Sequence, residues 1–532
     1  MRAQSQVWND TSGEIRGSGG GKLQSLTYAL LVLFFVCFVA AQFSLAMRKP
    51  LWMDEVLCVW VVRLPSVQAV CSALFHGAEF SPPTYHLFLH LLARIAGSSY
   101  FVLRLPSVLA ITLVMLCVFV IVRKHLGLAP AALATAFTAF TPLWRYTTEI
   151  RPYALVVLCF TVAVLLWDQL EQPRFFRLRV IGIAVLLVTA TSLHLYAVLL
   201  VTCFGLMEAI WWIVNRRLRV AVWLGLLIAG ASSLAWLPWI RVISRYNAGD
   251  SSSVAYYARP YNHILRETYS DLFAYSSNAT YVLLVAIVGI ALVHWLRATQ
   301  WSVMRSEVSF TNERPSTSAN IYILSFCAAL FPIIVFVFAR VVTHTFSLRY
   351  ALAGSIGVAC LIACCFGRLP ALKWAILPVL LVSCWMTSRE IPPQRFGDVM
   401  LQLITQASKP YPIVIGEGLQ YFQIFEVAPA PLRSNLFYVT SPKGIVSPDP
   451  TNENQLKRWQ PLKPELNVVD SDAFFARNPR FYLLHSTDSR DVLTPWLLER
   501  GLIEKPVANI GAAWLFEAQA PPARKDSAAA LR

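Results

Sequence analysis

Long runs of apolar residues are the feature of this sequence that most constrains its fold. The first run, from Leu26 to Met47, has about 22 residues, enough to cross a hydrocarbon core of about 30 Å as a helix. Further runs follow along the chain at 102–122, 129–144, 153–168, 178–192, 194–214, 220–240, 279–297, 319–341, 350–367 and 373–388. The sequence therefore predicts a polytopic α-helical membrane protein with about eleven transmembrane helices.

The composition excludes an ordinary soluble enzyme. Hydrophobic residues make up 57% of the chain and charged residues only 14%, whereas soluble domains carry about 25% charged residues. The formal net charge of +16 lies mainly in the membrane part. It is explained by cytoplasmic loops and lipid headgroups, or by arginines that bind an anionic substrate. Nucleic acid is not an expected partner, because no basic, aromatic-rich face stands outside the apolar runs.

The short loops indicate the orientation of the chain. Basic residues are denser in the loops that share a side with the N-terminus, which places residues 1–25 in the cytoplasm as a polar tail. We expect a transmembrane domain over 26–388, with a long first periplasmic loop at 48–101. An odd number of spans puts the rest of the chain on the side opposite the N-terminus, which in a bacterial inner membrane is the periplasm.

The last quarter of the sequence changes character after Pro392-Pro393. Short apolar runs that are typical of buried strands occur at 412–415, 436–439, 480–484 and 513–516. Helices are predicted at Phe396–Ala407 and Thr494–Arg500. We expect a small α/β domain over 389–517 and a disordered tail over 518–532.

The first outer loop carries acidic residues beside aromatic residues and prolines. Asp54 and Glu55 follow the first span directly, and Glu79 precedes the Pro82-Pro83 step, with His86 nearby. These acids have an ordinary explanation as solvated groups of an interfacial loop. They also have a functional one, since a carboxylate can remove a proton from an acceptor hydroxyl.

The second outer loop favours the functional explanation. Arg145, Glu149 and Arg151 lie between apolar helices on the same side as Asp54, and charged groups at that depth are costly unless they are paired or functional. Arg151 precedes Pro152-Tyr153 at a helix start, where a guanidinium and the helix dipole act together on an anion.

Two further pairs fall on the same side of the membrane. His194 and Tyr196 lie at the outer turn between two spans, and Arg349 and Tyr350 lie at the outer start of another. Each pair has an alternative explanation as an interface anchor or a snorkelling side chain. Taken with the acids and with Arg104 at the second span, they form a set that suits group transfer from a lipid phosphate.

The order of these motifs resembles that of the polytopic glycosyltransferases of the GT-C class, in particular family 39 and its bacterial relatives, which include the protein O-mannosyltransferases and the lipid A aminoarabinose transferase. The resemblance covers roughly 26–388. The motifs that carry it are Leu51-Trp52-Met53-Asp54-Glu55, Ser81-Pro82-Pro83-Thr84-Tyr85, Leu103-Arg104-Leu105-Pro106-Ser107, Glu149-Ile150-Arg151-Pro152-Tyr153, His194-Leu195-Tyr196 and Arg349-Tyr350. One departure is Ser81, which stands where relatives often have a histidine before the two prolines.

The resemblance implies an inverting transfer of sugar from a polyprenyl-phosphate donor to the hydroxyl of a lipid, glycan or protein acceptor on the periplasmic side. It implies that Asp54 is the general base, with Glu55 and Glu79 as further catalytic candidates. Arg151, Arg349 and Tyr153 are expected at the donor phosphate, and Arg104 either joins them or pairs with Glu55. The expected acceptor-binding or supporting residues are Arg145, Glu149, His86, His194, Tyr196 and Tyr350.

Two points stay open at the level of sequence. No cofactor is required, but the carboxylates Asp54, Glu55 and Glu79 offer the hard oxygen ligands that a divalent metal prefers. The alternative function is a transporter or flippase for a lipid-linked glycan, which would favour ionisable groups near the middle of the membrane.

Overall fold

The computed structural model describes residues 18–247, 258–274, 277–300, 319–389, 396–442, 450–486 and 491–520. The predicted linker at Pro392-Pro393, most of the N-terminal tail and residues 521–532 lie outside these ranges. The expected tail began at 518, but Ala518 and Gln519 belong to the last strand.

Helices dominate the first three quarters of the chain. Their bounds are α1 Ser18–Arg48, α2 Met53–Val62, α3 Val67–Phe75, α4 Pro83–Ala96, α5 Tyr100–Leu126, α6 Leu128–Ala139, α7 Leu143–Tyr146, α8 Tyr153–Asp168, α9 Phe176–Leu193, α10 Leu199–Asn215, α11 Val220–Ala231, α12 Leu237–Asn247, α13 Asn262–Ala274, α14 Ser277–Gln300, α15 Ala319–Phe338, α16 Gly354–Phe366 and α17 Leu372–Ser388. Short 3-10 and π turns connect several of them.

Six helical segments in the described residues are long and apolar enough to cross a membrane: Gly21–Arg48, Tyr100–Leu126, Phe176–Leu193, Leu195–Asn215, Val220–Tyr246 and Ala319–Thr343. Shorter apolar helices occupy the five other predicted spans, at Leu128–Ala139, Tyr153–Asp168, Thr280–Val293, Gly354–Phe366 and Leu372–Ser388. The polytopic helical fold class is thus confirmed, although the helices at Leu128–Ala139 and Gly354–Phe366 are shorter than the predicted spans at 129–144 and 350–367.

The predicted span at 129–144 ends early for a local reason. Its helix stops at Ala139, and a separate turn of helix, α7, begins after Pro142. Proline has no N–H to donate and disfavours helical geometry in the preceding residue. The break separates Arg145 from the apolar helix α6.

The first outer loop is folded into the three helices α2, α3 and α4. Ser66 caps α3 through a hydrogen bond from Ala69 N to its hydroxyl, and α4 begins at Pro83, a position where proline fits the first helical turn. This loop is therefore a packed layer on the membrane domain, which gives its acidic residues fixed positions.

The C-terminal part is an α/β unit around one six-stranded sheet. Its elements are α18 Phe396–Ile404, β1 Ile413–Ile415, α19 Gly418–Val427, α20 Ala430–Arg433, β2 Leu436–Val439, α21 Pro450–Trp459, β3 Asn467–Val469, α22 Ser471–Arg477, β4 Arg480–Ser486, α23 Leu493–Glu499, β5 Ile503–Ile510 and β6 Ala513–Gln519. The four predicted strands and both predicted helices are present, and β3, β5 and the helices between strands were not predicted.

The strand order in this sheet is β3-β2-β1-β4-β6-β5. The first four strands of that order are parallel, with Val414 opposite Phe437 and Leu483, and β6 joins β4 in antiparallel fashion. Helices α19 and α21, which follow strands of the parallel half, face the outer-loop helices of the membrane domain. The predicted small α/β domain is thus present and packs against the layer that carries Asp54.

Candidate active site

Asp54 lies in the first turn of α2, where it meets two arginines from distant parts of the chain. Arg349 Nη1 donates to Asp54 Oδ2 at 2.7 Å, and Arg151 Nη2 lies 3.8 Å from the same oxygen. The Asp54 side chain keeps 19% of its surface exposed. The structure therefore places the predicted base and both predicted phosphate partners in one accessible cluster.

Arg151 connects Asp54 to Glu79. Its Nη1 donates to Glu79 Oε1 at 2.9 Å, and its Nη2 donates to the Ser81 hydroxyl at 3.2 Å. Ser81 in turn donates to Glu79 Oε1 at 3.1 Å. Ser81, the departure from the family motif, thus serves as a hydrogen-bonding partner of both charged residues.

His86 completes the charge balance around Glu79. Its Nε2 lies 2.8 Å from Glu79 Oε2, and both side chains are buried. Burial would raise the pKa of Glu79, but the charges of Arg151 and His86 outweigh it and hold the pKa well below its ordinary value. Burial lowers the pKa of His86, but Cys58 and Glu79 outweigh burial and raise it to about 10.

Glu55 and Arg104 form a separate pair behind the site. Arg104 Nη2 donates to Glu55 Oε2 at 3.1 Å, and neither side chain is exposed to solvent. Arg104 also donates to the carbonyl oxygens of Ala46 and Lys49, at 3.0 and 2.7 Å. Of the two roles expected for Arg104, this geometry favours the pairing with Glu55 over contact with the donor phosphate. The buried Glu55 is correspondingly out of reach of an acceptor.

Ile150 extends this brace to the second outer loop. Its backbone N–H donates to Glu55 Oε1 at 2.9 Å, immediately before Arg151. The Glu55–Arg104 pair therefore fixes three segments at once: the end of α1, the start of α2 and the turn that carries Arg151.

Arg145 and Glu149 lie beside the cluster. Arg145 Nε donates to Glu149 Oε1 at 3.2 Å, and Lys49 Nζ is 3.7 Å from the same oxygen. Burial raises the pKa of Glu149 and lowers the pKa of Lys49. Lys49 is not among the predicted site residues, although its position just after the first span places it on the same side of the membrane domain as Asp54.

Aromatic rings form the other wall of the site. The guanidinium of Arg349 lies 5.7 Å from the ring centre of Trp52, 5.9 Å from that of Tyr153 and 5.6 Å from that of Tyr350, within range of cation–π attraction. Trp52 is not among the predicted site residues, but its ring is one of the three that contact Arg349.

The two remaining predicted residues extend this aromatic wall. Tyr196 stacks on Tyr350 with ring centres 4.3 Å apart, and the His194 ring lies 5.1 Å from that of Tyr350. The Tyr196 hydroxyl bonds to Thr343 and to the carbonyl of Thr345. These contacts fix the segment that leads to Arg349.

A small cavity opens beside Arg349. Its lining combines Arg349 and aromatic residues with aliphatic side chains: Tyr153, Val156, Val157, His194, Tyr196, Ala197, Leu200, Phe331, Arg349, Tyr350, Leu352 and Ala353. A cavity with one cationic group and an otherwise apolar lining suits an amphiphile with an anionic head.

The carboxylates are not arranged to share a metal ion. Asp54 pairs with Arg349, Glu55 with Arg104, and Glu79 with Arg151 and His86. Within the described ranges, no group of three or more His, Cys, Asp or Glu residues could hold one. Each of these carboxylates therefore has an arginine as its neighbour in this structure.

No family model matches the sequence, and no curated protein matches it. Among solved structures, the chain is similar to ArnT from Cupriavidus metallidurans bound to undecaprenyl phosphate, with a TM-score of 0.48 and 14% identity over 94% of this chain and 98% of that one. The apo state of the same protein matches with a TM-score of 0.42, 14% identity and the same coverage.

The chain is also similar to an oligosaccharyltransferase from Archaeoglobus fulgidus in complex with zinc and sulfate. The TM-score is 0.39, with 11% identity over 76% of this chain and 61% of that one.

Proposed function

We propose that this protein is an inverting glycosyltransferase that moves a sugar from a polyprenyl-phosphate donor to an acceptor hydroxyl on the outer side of a bacterial inner membrane. The observation that carries the proposal is the contact of Asp54 with Arg349 beside an aromatic and apolar cavity. Such a transfer needs a base and a phosphate-binding cation within reach of one substrate, so that the sugar carbon can lie between the hydroxyl that the base deprotonates and the phosphate that the cation binds.

The donor phosphate binds Arg349 and Arg151 in this proposal. Guanidinium groups form two-point hydrogen bonds with phosphate oxygens, and Arg349 faces the cavity whose aliphatic lining suits the first isoprene units. Binding of the phosphate draws Arg349 away from Asp54 and leaves the carboxylate free to accept a proton. Arg151 stays fixed, because Glu79 and Ser81 hold its other side.

Transfer then occurs in one displacement. The acceptor oxygen forms a bond to the anomeric carbon while the bond from that carbon to the phosphate oxygen breaks, so the configuration inverts. Asp54 takes the hydroxyl proton, and the polyprenyl phosphate leaves with the bonding electron pair, its charge balanced by the arginines.

The test uses membranes that contain the protein, a panel of labelled polyprenyl-phosphate sugars and a crude acceptor fraction. We expect one donor to lose its label to the acceptor fraction with release of unlabelled polyprenyl phosphate. Binding of the donors without cleavage, together with movement of the intact lipid across sealed vesicles, would instead support the transporter or flippase alternative. Absence of both binding and cleavage over the panel would contradict the proposal.

A further inference from the structure

The C-terminal domain contacts the outer-loop helices through a buried carboxylate. Glu426 on α19 accepts hydrogen bonds from Trp60 Nε1 at 2.7 Å, Arg63 Nη1 at 2.8 Å and the Tyr100 hydroxyl at 2.6 Å. Three donors on one buried carboxylate make a strong joint, since charge-assisted hydrogen bonds are stronger than neutral ones. This joint fixes α19 to the end of α2 and to the start of α5.

Aromatic packing reinforces the joint. The Trp60 ring lies 5.5 Å from that of Phe422 and 5.2 Å from that of Trp459, in tilted and edge-on arrangements that favour aromatic pairs. Trp60 is on α2, the helix that carries Asp54, whereas Phe422 and Trp459 are on α19 and α21. The helix of the proposed base is thus packed against two helices of the C-terminal domain.

The same two helices donate to the backbone next to each acid of the site. Gln423 Nε2 donates to the carbonyl of Leu51 at 3.2 Å, three residues before Asp54. Trp459 Nε1 donates to the carbonyl of Ala78 at 3.0 Å, directly before Glu79.

A third contact flanks Glu79 on its other side. The guanidinium of Arg458 lies 5.4 Å from the centre of the Phe80 ring. Domain attachment alone would not require contacts at these particular points, because the outer-loop helices offer other surface for docking.

We infer that the C-terminal domain is an intramolecular clamp that sets the separation of Asp54 and Glu79, with Gln423 and Trp459 as positioning residues. The inference rests on the proposed function, because it assigns the domain a role in that reaction. Arg151 bridges the two acids, at 3.8 Å from Asp54 and 2.9 Å from Glu79. A shift of either backbone segment therefore moves the Arg151 guanidinium, which in the proposed reaction binds the donor phosphate and balances the charge of the leaving phosphate. A displacement of about 1 Å can cost roughly 100-fold in rate.

Two matched tryptophan variants test the clamp in the full-length protein. Trp459→Phe keeps an aromatic ring but removes the N–H that binds the Ala78 carbonyl. Trp496→Phe makes the same change in the C-terminal domain where the ring packs on Phe475, away from the membrane domain. Gln423→Leu removes the other backbone contact without touching the aromatic cluster.

Two readouts separate positioning from general stability. In Trp459→Phe, hydrogen exchange should become faster in the peptide around residues 77–82. In Gln423→Leu, it should become faster in the peptide around residues 50–55. In Trp496→Phe, exchange in both peptides should stay as in wild type. In the transfer assay, kcat should fall about tenfold in the first two variants, while KM for the donor changes less than kcat because Arg349 still binds the phosphate.

Unchanged exchange at both peptides would overturn the clamp, whether or not the protein transfers sugar. Equal losses of kcat in Trp459→Phe and Trp496→Phe would also overturn it, because the effect would then be one of domain stability. Faster exchange in a protein whose wild type moves no sugar from any donor would support the mechanical clamp and contradict the proposed function, so the two failures are distinguishable.

Discussion

Arg349 and Asp54 are 295 positions apart in the sequence, yet Nη1 of the arginine lies 2.7 Å from Oδ2 of the aspartate. The arginine lies just before α16, and the aspartate lies in the first turn after the first span. A partly exposed ion pair of this kind contributes little to stability. Under the proposed function, its position at the edge of the cavity lets Arg349 exchange one anion, the Asp54 carboxylate, for another, the donor phosphate.

We predict that Arg349→Gln weakens donor binding. Hydrogen bonds to charged groups contribute about 1.5–3 kcal/mol, so Kd for polyprenyl phosphate should rise roughly 10- to 100-fold. The measurement is titration of the purified protein with polyprenyl phosphate. Arg340→Gln is the matched control, since Arg340 lies nearby in the chain and bonds to Asn262 on the surface; an equal loss in both variants would contradict a specific phosphate site.

The Glu55–Arg104 pair should support the fold rather than bind the donor. Both side chains are fully buried, and loss of one member of such a pair costs about 3–5 kcal/mol because the other charge stays buried without its partner. We therefore predict a large fall in Tm for Arg104→Met in detergent, and a smaller fall when Glu55→Gln is added. An unchanged Tm with weakened donor binding would restore the phosphate-binding role of Arg104.

Ionised His86 should make the protein less stable as the pH rises into the alkaline range. The pKa of His86 is raised to about 10 in the folded protein, above its value of about 6.5 in an unfolded chain. Its stabilising contribution is therefore fully present below about pH 6.5 and is lost as the pH rises through about 10. Between pH 7 and 10, Tm should fall more steeply in wild type than in His86→Gln.

At acidic pH the same pair should also lose stability, in this case as the pH falls. The pKa of Glu79 is lowered on folding, so its contribution is present above about pH 4.5 and declines as the pH falls. Parallel curves for wild type and His86→Gln over the alkaline range would contradict a charged Glu79–His86 pair.

Gly77 sets the turn that leads into Glu79. Its φ of +77° lies in the left-handed region, and a Cβ at this position would come within 2.8 Å of the Tyr246 ring. Gly77→Ala should therefore cause a backbone strain of about 1–2 kcal/mol and, in addition, push the turn and the Tyr246 ring apart.

Gly97→Ala is the control for strain alone, because Gly97 has a φ of +90° and open space around its Cβ position. We expect both variants to lower Tm and only Gly77→Ala to reduce the transfer rate. Equal transfer rates in the two variants would show that the position of the Glu79 turn does not matter to the reaction.

The runs of apolar residues in the sequence predict most of the helices of the membrane domain. All eleven predicted spans correspond to apolar helices, since hydrophobic length is a direct physical requirement of the bilayer. Strand β5 was missed because it is an exposed edge strand interrupted by Pro506, which weakens the apolar signal. Strand β3 has only three residues.

The candidate site was predictable as a set of residues but not as a set of pairs. Ion pairing between Asp54 and Arg349 depends on how distant helices pack, and sequence spacing carries no information about it. The separation of Glu55 from its neighbour Asp54 follows from helix geometry, which points adjacent side chains in different directions. The contacts of Trp459 and Gln423 with the outer loop had no signal in the sequence at all.

The most direct test of the central claim compares Asp54→Asn with Asp472→Asn, a matched change at an exposed position of α22. Sugar transfer from the polyprenyl-phosphate donor is measured for both purified variants, together with donor Kd and Tm. General-base catalysis is worth roughly 100- to 10,000-fold, so Asp54→Asn should lose at least about 100-fold in kcat while it still binds donor and stays folded, and Asp472→Asn should match wild type. Wild-type kcat in Asp54→Asn would contradict the assignment of Asp54 as the base and, with it, the proposed mechanism.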